Sequence, residues 1–276
     1  MILDTIARSA GKRVEQRKQV KPLEQMMKEA FKCRERESIK REDIKGEDGT
    51  GGGYSFKAAL SKPGVSFICE VKKASPSKGL IAPDFPYVEI ARQYQEAGAD
   101  AVSVLTEPEF FLGADRYLEE IHREIELPLL RKDFIVDEYQ IYEAKVLGAS
   151  AVLLICSLMD MEKLKRYMGI CGSLGLSSLA EAHTDREVAM AAEAGADIIG
   201  INNRNLETFE VDFTNALRLR KLVDRGTIFV AESGIRTPED IELLAENQVD
   251  AVLVGETLMR APDKKRALRE LKSRIG

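Results

Sequence analysis

The chain has 276 residues, of which 44% are apolar and 32% are charged, and its 41 basic and 46 acidic side chains give a formal net charge of −5. This length fits one large α/β domain or two ordinary domains, with enough apolar residues for a sizeable core. The mild acidity argues against nucleic acid or an anionic membrane as a partner, and no stretch approaches the roughly 20 apolar residues that span a bilayer. The N-terminus lacks a signal-peptide pattern and the four cysteines lack zinc-like spacing, so we expect a cytoplasmic globular protein without a metal site.

The first 45 residues are rich in Lys, Arg and Glu, and their apolar residues recur at helical spacing. This pattern predicts one or two amphipathic helices, with a solvated charged arm as the alternative. Five glycines between Gly46 and Gly53 then indicate a flexible connector. We therefore divide the chain into an N-terminal helical extension with its linker, residues 1–60, and a single α/β domain, residues 61–276.

A repeat organises the remainder of the chain. Gly98–Val102, Gly148–Val152 and Gly195–Ile199 are near copies, Gln248–Val252 is a weaker fourth, and successive copies lie 47 to 53 residues apart. One βα unit needs about half that length, so a second strand is expected between successive copies. The candidates for these strands are Phe67–Val71, Leu129–Arg131, Leu179–Glu181 and Thr227–Ala231.

Eight strands, each followed by a helical segment, predict a closed (β/α)8 barrel, the TIM-barrel fold. Near-continuous apolar runs such as Ala151–Ile155 are typical of parallel strands that are buried on both faces. A doubly wound open sheet is the alternative, but no Gly-x-Gly-x-x-Gly follows the first strand and the repeat is regular. Right-handed crossovers place all eight strand C-termini at one face, where barrel enzymes have their active sites.

The first predicted strand ends in two charged residues. Ile68, Glu70 and Lys72 alternate with the apolar residues Phe67, Cys69 and Val71. If the apolar set faces the helices, Glu70 and Lys72 point into the barrel mouth, where buried charges need partners or a ligand. An ordinary polar strand exit is the alternative for this strand taken alone.

Other predicted strands also end in polar residues. Lys132 is in register with Leu130, and Glu181 is in register with Leu179, whereas the sixth and seventh strands end in Asn202, Arg204, Glu232 and Ser233. Two lysines, two or three carboxylates and an amide at one face suit acid/base chemistry on an anionic substrate. His183 shares the side of Glu181 by alternation, and we expect it to have a structural role behind that residue.

Two loops have the composition of a phosphate site. Ser233-Gly234 follows the seventh strand and Gly255-Glu256 follows the eighth. In barrels these loops commonly bind phosphate through backbone N–H groups, and glycine allows a close approach to the anion.

At these residues the sequence resembles the indole-3-glycerol phosphate synthase family. The resemblance covers roughly residues 1–275 and is strongest from about 65 to 260. The matching segments are Glu70–Ser77, Leu130–Phe134, Gly200–Leu206, Ala231–Ile235 and Leu253–Glu256. The resemblance implies a barrel whose mouth is capped by the N-terminal extension, and a carboxy-lyase that needs no cofactor.

The resemblance also implies a reaction and roles. The family converts 1-(2-carboxyphenylamino)-1-deoxyribulose 5-phosphate to indole-3-glycerol phosphate, carbon dioxide and water. Lys132 would be the general acid, and Lys72, paired with Glu70, would hold the carboxylate. Glu181 would act in the dehydration, with Asn202 orienting the substrate. Glu232 and Ser233 would complete the pocket, with Ser233 among the catalytic residues. The remaining implied contacts to substrate and phosphate are Ser75, Arg204, Gly234, Gly255 and Glu256.

Two other functions remain as alternatives. One is another phosphosugar barrel such as phosphoribosylanthranilate isomerase, and the other is a non-catalytic barrel that binds phosphorylated metabolites. Glu70, Lys72 and Lys132 favour the synthase, because the isomerase has no need of two strand-end lysines around a carboxylate. We expect a monomer that binds a small phosphorylated substrate, with at most a weak association with other tryptophan-pathway enzymes.

Overall fold

A computed structural model of the protein describes residues 2–43, 55–205 and 208–275. Within these ranges eight parallel strands close into a barrel, each paired with its neighbours in the chain, and the last pairs with the first. The strands are β1 (Ser66–Val71), β2 (Ala101–Leu105), β3 (Leu129–Lys132), β4 (Ala151–Ile155), β5 (Ser177–Ala182), β6 (Ile198–Asn202), β7 (Ile228–Glu232) and β8 (Ala251–Val254). The predicted TIM-barrel fold is confirmed, and the open-sheet alternative is wrong.

Helices precede and follow the strands. Three lie before β1, and the others alternate with the strands, with two helices after β8. They are α1 (Ile2–Val20), α2 (Leu23–Asp43), α3 (Phe56–Leu60), α4 (Tyr87–Glu96), α5 (Asp115–Glu124), α6 (Tyr139–Val146), α7 (Met161–Ser173), α8 (Asp185–Glu193), α9 (Thr214–Arg220), α10 (Pro238–Glu246), α11 (Glu256–Arg260) and α12 (Lys264–Leu271). None of these helices is both long and apolar enough to cross a membrane.

Strand alternation produces two apolar cores. Phe67, Cys69 and Val71 of β1 pack outward in the layer between strands and helices. Ile68 packs inward and lies in register with Leu253 of β8. Side chains therefore fill the barrel interior, as an eight-stranded barrel requires, and charged residues line it towards the strand C-termini.

The N-terminal end of the barrel is closed by α3. Phe56 and Leu60 are buried against inward-facing residues at the starts of the strands, such as Ala101 and Ala251. Ser55 caps this helix by accepting a hydrogen bond from the Ala58 N–H. This helix is the last part of residues 1–60, and the division of the chain into a helical extension with its linker and a barrel from residue 61 stays a prediction. The predicted glycine-rich connector, residues 46–53, lies outside the described residues.

The helices α1 and α2 take different positions on the barrel. The first turns of α1 line the cavity at the strand C-termini through Ile2, Leu3 and Ile6. The helix α2 packs instead along α6 on the outer side, where the Glu37 carboxylate lies 2.6 Å from the buried Lys145 Nζ. The predicted helices are present, and the alternative of a solvated arm is wrong. The helix α1 covers the mouth, whereas α2 does not.

Candidate active site

A cavity of about 360 Å³ lies at the C-terminal ends of the barrel strands. All twelve residues predicted for the site line it. They are Glu70, Lys72, Ser75, Lys132, Glu181, Asn202, Arg204, Glu232, Ser233, Gly234, Gly255 and Glu256. The sequence pattern therefore located the cavity, and the roles of the individual residues remain predictions.

The first charged pair lies at the end of β1. The Lys72 Nζ is 2.5 Å from the Glu70 Oε1, and the Glu70 side chain is almost fully buried. Gly255, after β8, makes room for this pair, since a Cβ there would lie 2.4 Å from the Glu70 Oε1 and 3.0 Å from the Lys72 Nζ. A larger residue at position 255 would disturb the charged pair as well as any phosphate bound by this loop.

The second cluster centres on Lys132 at the end of β3. Its ammonium lies 3.0 Å from the Glu181 Oε2 and 3.5 Å from the Glu232 Oε2. Burial alone would lower the pKa of Lys132, but the two carboxylates outweigh burial and raise it. Lys132 is therefore a protonated group, ready to donate to a stronger base such as an alkoxide.

Glu181 of β5 is held in the charged form by its neighbours. Burial raises its pKa, but the Lys132 ammonium and His183 outweigh burial, so that the pKa of Glu181 is lowered. The Asn202 amide nitrogen lies 3.4 Å from the Glu181 Oε1. Glu181 thus has the properties of a proton acceptor, with an amide beside it that can orient a substrate.

Glu232 of β7, unlike Glu181, favours the neutral form of its carboxyl. Burial raises its pKa to about 8 against the effect of Lys132, and the neighbouring carboxylates add to the rise. Its Oε1 has no hydrogen-bond partner among the described residues. Gly200 of β6 provides the space, because a Cβ there would lie 2.4 Å from this oxygen. Near neutral pH the carboxyl of Glu232 therefore keeps its proton and can act as a donor.

The loops after β7 and β8 form the other side of the cavity. Ser233 and Gly234 both have left-handed backbones, with φ of 69° and 84°, and a Cβ at Gly234 would lie 2.6 Å from the Val211 Cγ1. The Glu256 carboxylate lies 3.1 Å from the Arg260 Nε and 3.9 Å from the Arg204 guanidinium. Basic side chains therefore line the cavity beside the loops predicted to bind phosphate.

One wall of the cavity was not predicted. The rings of Phe111 and Phe134 lie with their centroids 6.0 Å apart and line the cavity with aliphatic side chains of β4 and α1. Such a surface suits a flat aromatic group. Neither phenylalanine belongs to the polar strand ends from which the site was predicted, although Phe134 follows Lys132 by two residues.

The fold and the site define a (β/α)8-barrel enzyme with an acid/base cluster at its mouth. In the described ranges no group of three or more His, Cys, Asp or Glu side chains is arranged to hold a metal ion. The family model for indole-3-glycerol phosphate synthase matches residues 3–271. The chain belongs to the indole-3-glycerol phosphate synthase family, a carboxy-lyase family of tryptophan biosynthesis.

Close relatives extend over the whole chain. The chain is 52% identical over 274 residues to the indole-3-glycerol phosphate synthase of Endomicrobium trichonymphae, covering 99% of this chain and 100% of that protein. It is 50% identical over 273 residues to the protein of the same name from Lachnoclostridium phytofermentans, covering 99% of each.

Solved structures of distant proteins share the fold alone. The structure of 3-hexulose-6-phosphate synthase from Salmonella typhimurium superposes with a TM-score of 0.62 at 15% identity, covering 76% of this chain and 97% of that one. Thiamine phosphate pyrophosphorylase from Pyrococcus furiosus gives a TM-score of 0.57 at 20% identity, covering 79% and 96%.

Proposed function

We propose that the cavity converts 1-(2-carboxyphenylamino)-1-deoxyribulose 5-phosphate to indole-3-glycerol phosphate, carbon dioxide and water. The observation that carries this proposal is the position of Lys132 between a charged and a neutral carboxyl, with the Glu70–Lys72 pair at the same mouth. An ammonium, a carboxylate and a carboxylic acid are the donors and acceptors that ring closure and dehydration need.

Ring closure uses Lys132. The ring carbon that bears the carboxylate attacks the substrate carbonyl, a carbon–carbon bond forms, and the carbonyl oxygen takes the Lys132 proton as its negative charge develops. Phe111 and Phe134 provide an apolar wall against which the aromatic ring of the substrate can pack. The apolar first turns of α1 help to exclude water from the reacting carbon.

Loss of carbon dioxide follows at the Glu70–Lys72 pair. Lys72 binds the substrate carboxylate, and Glu70 orients the ammonium. When the bond to the carboxylate breaks, its electrons return to the ring and restore aromaticity. The attack has already made the carbon tetrahedral, so no external electron acceptor is needed.

Loss of water uses the carboxyls of β5 and β7. Glu181, the charged one, takes a proton from the intermediate, while a protonated neighbour gives one to the departing hydroxyl. Glu232 is suited to that donation because burial raises its pKa to about 8. Asn202 lies in register with Glu232 and holds the intermediate near Glu181.

The phosphate lies against the loops after β1, β7 and β8. We assign its binding to Ser75, Ser233-Gly234, the backbone of Gly255-Glu256, and Arg204. The left-handed turn at Ser233-Gly234 and the basic lining support this assignment. We further propose that the protein acts in the cytoplasm as a monomer.

An assay of the purified protein tests the proposed function. Indole fluorescence should appear when the protein meets the carboxyphenylamino-deoxyribulose phosphate without any added cofactor, with one carbon dioxide released per indole. The variant Lys132→Met serves as the inactive control. Binding of the substrate without any indole product would contradict the proposal and favour a non-catalytic barrel, whereas isomerisation of phosphoribosylanthranilate would favour the rival enzyme.

A further inference from the structure

A histidine lies behind Glu181, outside the residues that touch the substrate. His183 directly follows β5, and its backbone N–H donates a hydrogen bond of 2.7 Å to the Glu187 Oε2. Its Nδ1 lies 3.4 Å from that oxygen. Glu187, in the first turn of α8, therefore fixes both the backbone and the ring of His183.

The other ring nitrogen of His183 faces the site. Its Nε2 is buried and lacks a hydrogen-bond partner in the described part of the chain, and it lies 3.7 Å from the Glu181 Oε1. Lys132 contacts the other oxygen of the same carboxylate. The described residues that line the cavity do not include His183, so this ring can act on substrate only through Glu181.

The surroundings of His183 are acidic on several sides. Glu181 of β5 and Glu187 of α8 attract a proton to it, and Glu232 of β7 does so wherever its own carboxyl is charged. The Cys156 thiol, after β4, is neutral because burial raises its pKa to about 12. From α9, the Asn215 amide donates a hydrogen bond to the backbone carbonyl of the histidine. Lys132 is the opposing cation and already binds Glu181.

These groups set the charge of the imidazole. Burial alone would lower the pKa of His183, but the hydrogen bond to Glu187 and the charge of the Glu181 carboxylate outweigh burial and raise it. The raised pKa favours the positively charged form of the ring, which lies between the Glu187 and Glu181 carboxylates. A shift of a few tenths of an ångström would bring its Nε2–H into hydrogen-bond range of Glu181.

We propose that His183, held by Glu187, is a positioning residue that donates from Nε2 to Glu181 and keeps that carboxylate aimed and charged for its proton transfers. The inference rests on the proposed function, because it extends the role assigned there to Glu181. It differs from a purely structural role, since the contact weakens when the ring loses its proton.

Kinetics on two matched variants test this proposal. His183→Asn retains a polar atom near Glu187 but does not reach Glu181, while His122→Asn changes the only other histidine, which is exposed on α5. We expect His183→Asn to lower kcat at pH 6 by about 5–50-fold with little change in KM, and to move the acid limb of kcat up by roughly 0.5–1 pH unit. His122→Asn should follow the wild type.

A further variant separates position from charge. The amide of His183→Gln extends towards Glu181 but does not titrate. It should restore most of kcat at pH 8 and less at pH 6, where more of the wild-type ring is protonated. Equal loss at every pH, together with a raised KM, would show that the histidine is merely structural and would overturn the proposal.

Titration of the histidine rings tests the inference without a measurement of turnover. With two histidines in the chain, ¹⁵N NMR resolves both rings, and His122→Asn assigns them. We expect Glu181→Gln to lower the pKa of His183 by roughly 0.5–1 unit. If His183→Asn does not fold, Glu187→Gln takes its place, with the same expected shift of the kcat profile. A pKa of His183 that is unchanged in Glu181→Gln overturns the inference, even if the wild type proves inactive on the proposed substrate.

Discussion

Two charged clusters lie back to back on β3, and they have the same formal composition. Each contains two cations and three carboxylates. The outer cluster consists of Arg17, Asp115, Arg131, Asp133 and Glu143, and the inner cluster consists of Glu70, Lys72, Lys132, Glu181 and Glu232. Arg131 is the central cation of the outer cluster, and Lys132 is the central cation of the inner cluster. The two residues are consecutive on β3, and consecutive side chains of a strand point to opposite sides.

The outer cluster provides hydrogen-bond partners for its central cation. The guanidinium of Arg131 has no exposed surface, and all three of its nitrogens donate hydrogen bonds. Its Nη2 reaches the Asp115, Asp133 and Glu143 carboxylates at 2.9 to 3.2 Å. Such a network stabilises one arrangement of β3, α5 and α6, and Arg17 ties α1 to it.

In and beside the inner cluster, buried polar atoms lack hydrogen-bond partners in the described part of the chain. The Glu232 Oε1 and the His183 Nε2 are buried without hydrogen-bond partners among the described residues, and burial raises the pKa of Glu232 to about 8. Equal numbers of ionisable groups thus stabilise the fold on one face of β3 and remain reactive on the other. In the outer cluster, protein groups complete the polar contacts of the buried charges. In the inner cluster, a substrate would complete them.

The largest expected effect is on catalysis by the inner cluster. Lys132→Met removes the proton donor but keeps most of the side-chain volume, so the barrel should remain folded. Turnover should fall by at least roughly 10²–10⁴-fold in the indole fluorescence assay, the usual contribution of a positioned acid. Retention of more than about a tenth of the wild-type kcat, a barrier change of only ~1.4 kcal/mol, would remove Lys132 from the mechanism.

The next effect is on stability through the outer cluster. Arg131→Met leaves three carboxylates without their central cation and should lower the free energy of unfolding by about 3–5 kcal/mol, measured by urea denaturation. The control is Arg123→Met, which removes an exposed i,i+4 ion pair and should change stability by no more than about 0.5 kcal/mol. Similar small losses in both variants would mean that the outer network does not stabilise the fold.

Substitution of Glu232 is expected to raise the free energy of unfolding, by less than the loss expected at Arg131. Because the folded-state pKa is raised, its contribution to stability is present at low pH and is lost as pH rises towards about 8. Glu232→Gln should therefore become more stable than the wild type between pH 5 and pH 8, by about 1–3 kcal/mol.

The carboxyl of Glu181 supplies the matched control. Its pKa is lowered, so its contribution is lost as pH falls, and Glu181→Gln should cost stability at neutral pH. Thermal unfolding of both variants across this pH range measures the difference. A gain for Glu232→Gln that does not vary with pH would contradict the assignment of a buried neutral carboxyl.

The smallest expected effect concerns the aromatic wall. Phe111→Leu removes one ring beside Phe134 and should raise KM by about 3–10-fold with kcat little changed, as expected for loss of one aromatic contact. Inhibition by inorganic phosphate should not change, because phosphate does not contact the wall. Weaker phosphate inhibition in this variant would show that the substitution disturbs the whole cavity.

The sequence predicted the inner cluster better than the outer one. Period-2 alternation and the regular repeat locate Glu70, Lys132 and Glu181 at strand ends, and the closed barrel brings strand ends together. The outer cluster forms only where α1, α5 and α6 meet β3, a meeting that no local pattern specifies. Alternation places Asp133 on the same side of the strand as Arg131, which it binds.

Other features depend on packing that spacing does not reveal. The raised pKa of Glu232 results from burial beside two carboxylates, and Gly200 makes the space for it. Phe111 and Phe134 lack a polar signal, since apolar residues near strand ends are usual in a barrel. The short helix α3 follows a glycine run, which made its residues resemble a linker.

The most direct test of this account compares two neighbouring substitutions in one experiment. Turnover per folded molecule is measured for Arg131→Met and Lys132→Met, at a temperature at which circular dichroism shows both to be folded. We expect Arg131→Met to keep kcat within about tenfold of the wild type, and Lys132→Met to fall to about a hundredth or less. Equal losses of turnover in the two variants would contradict the division of β3 into a stabilising face and a catalytic face.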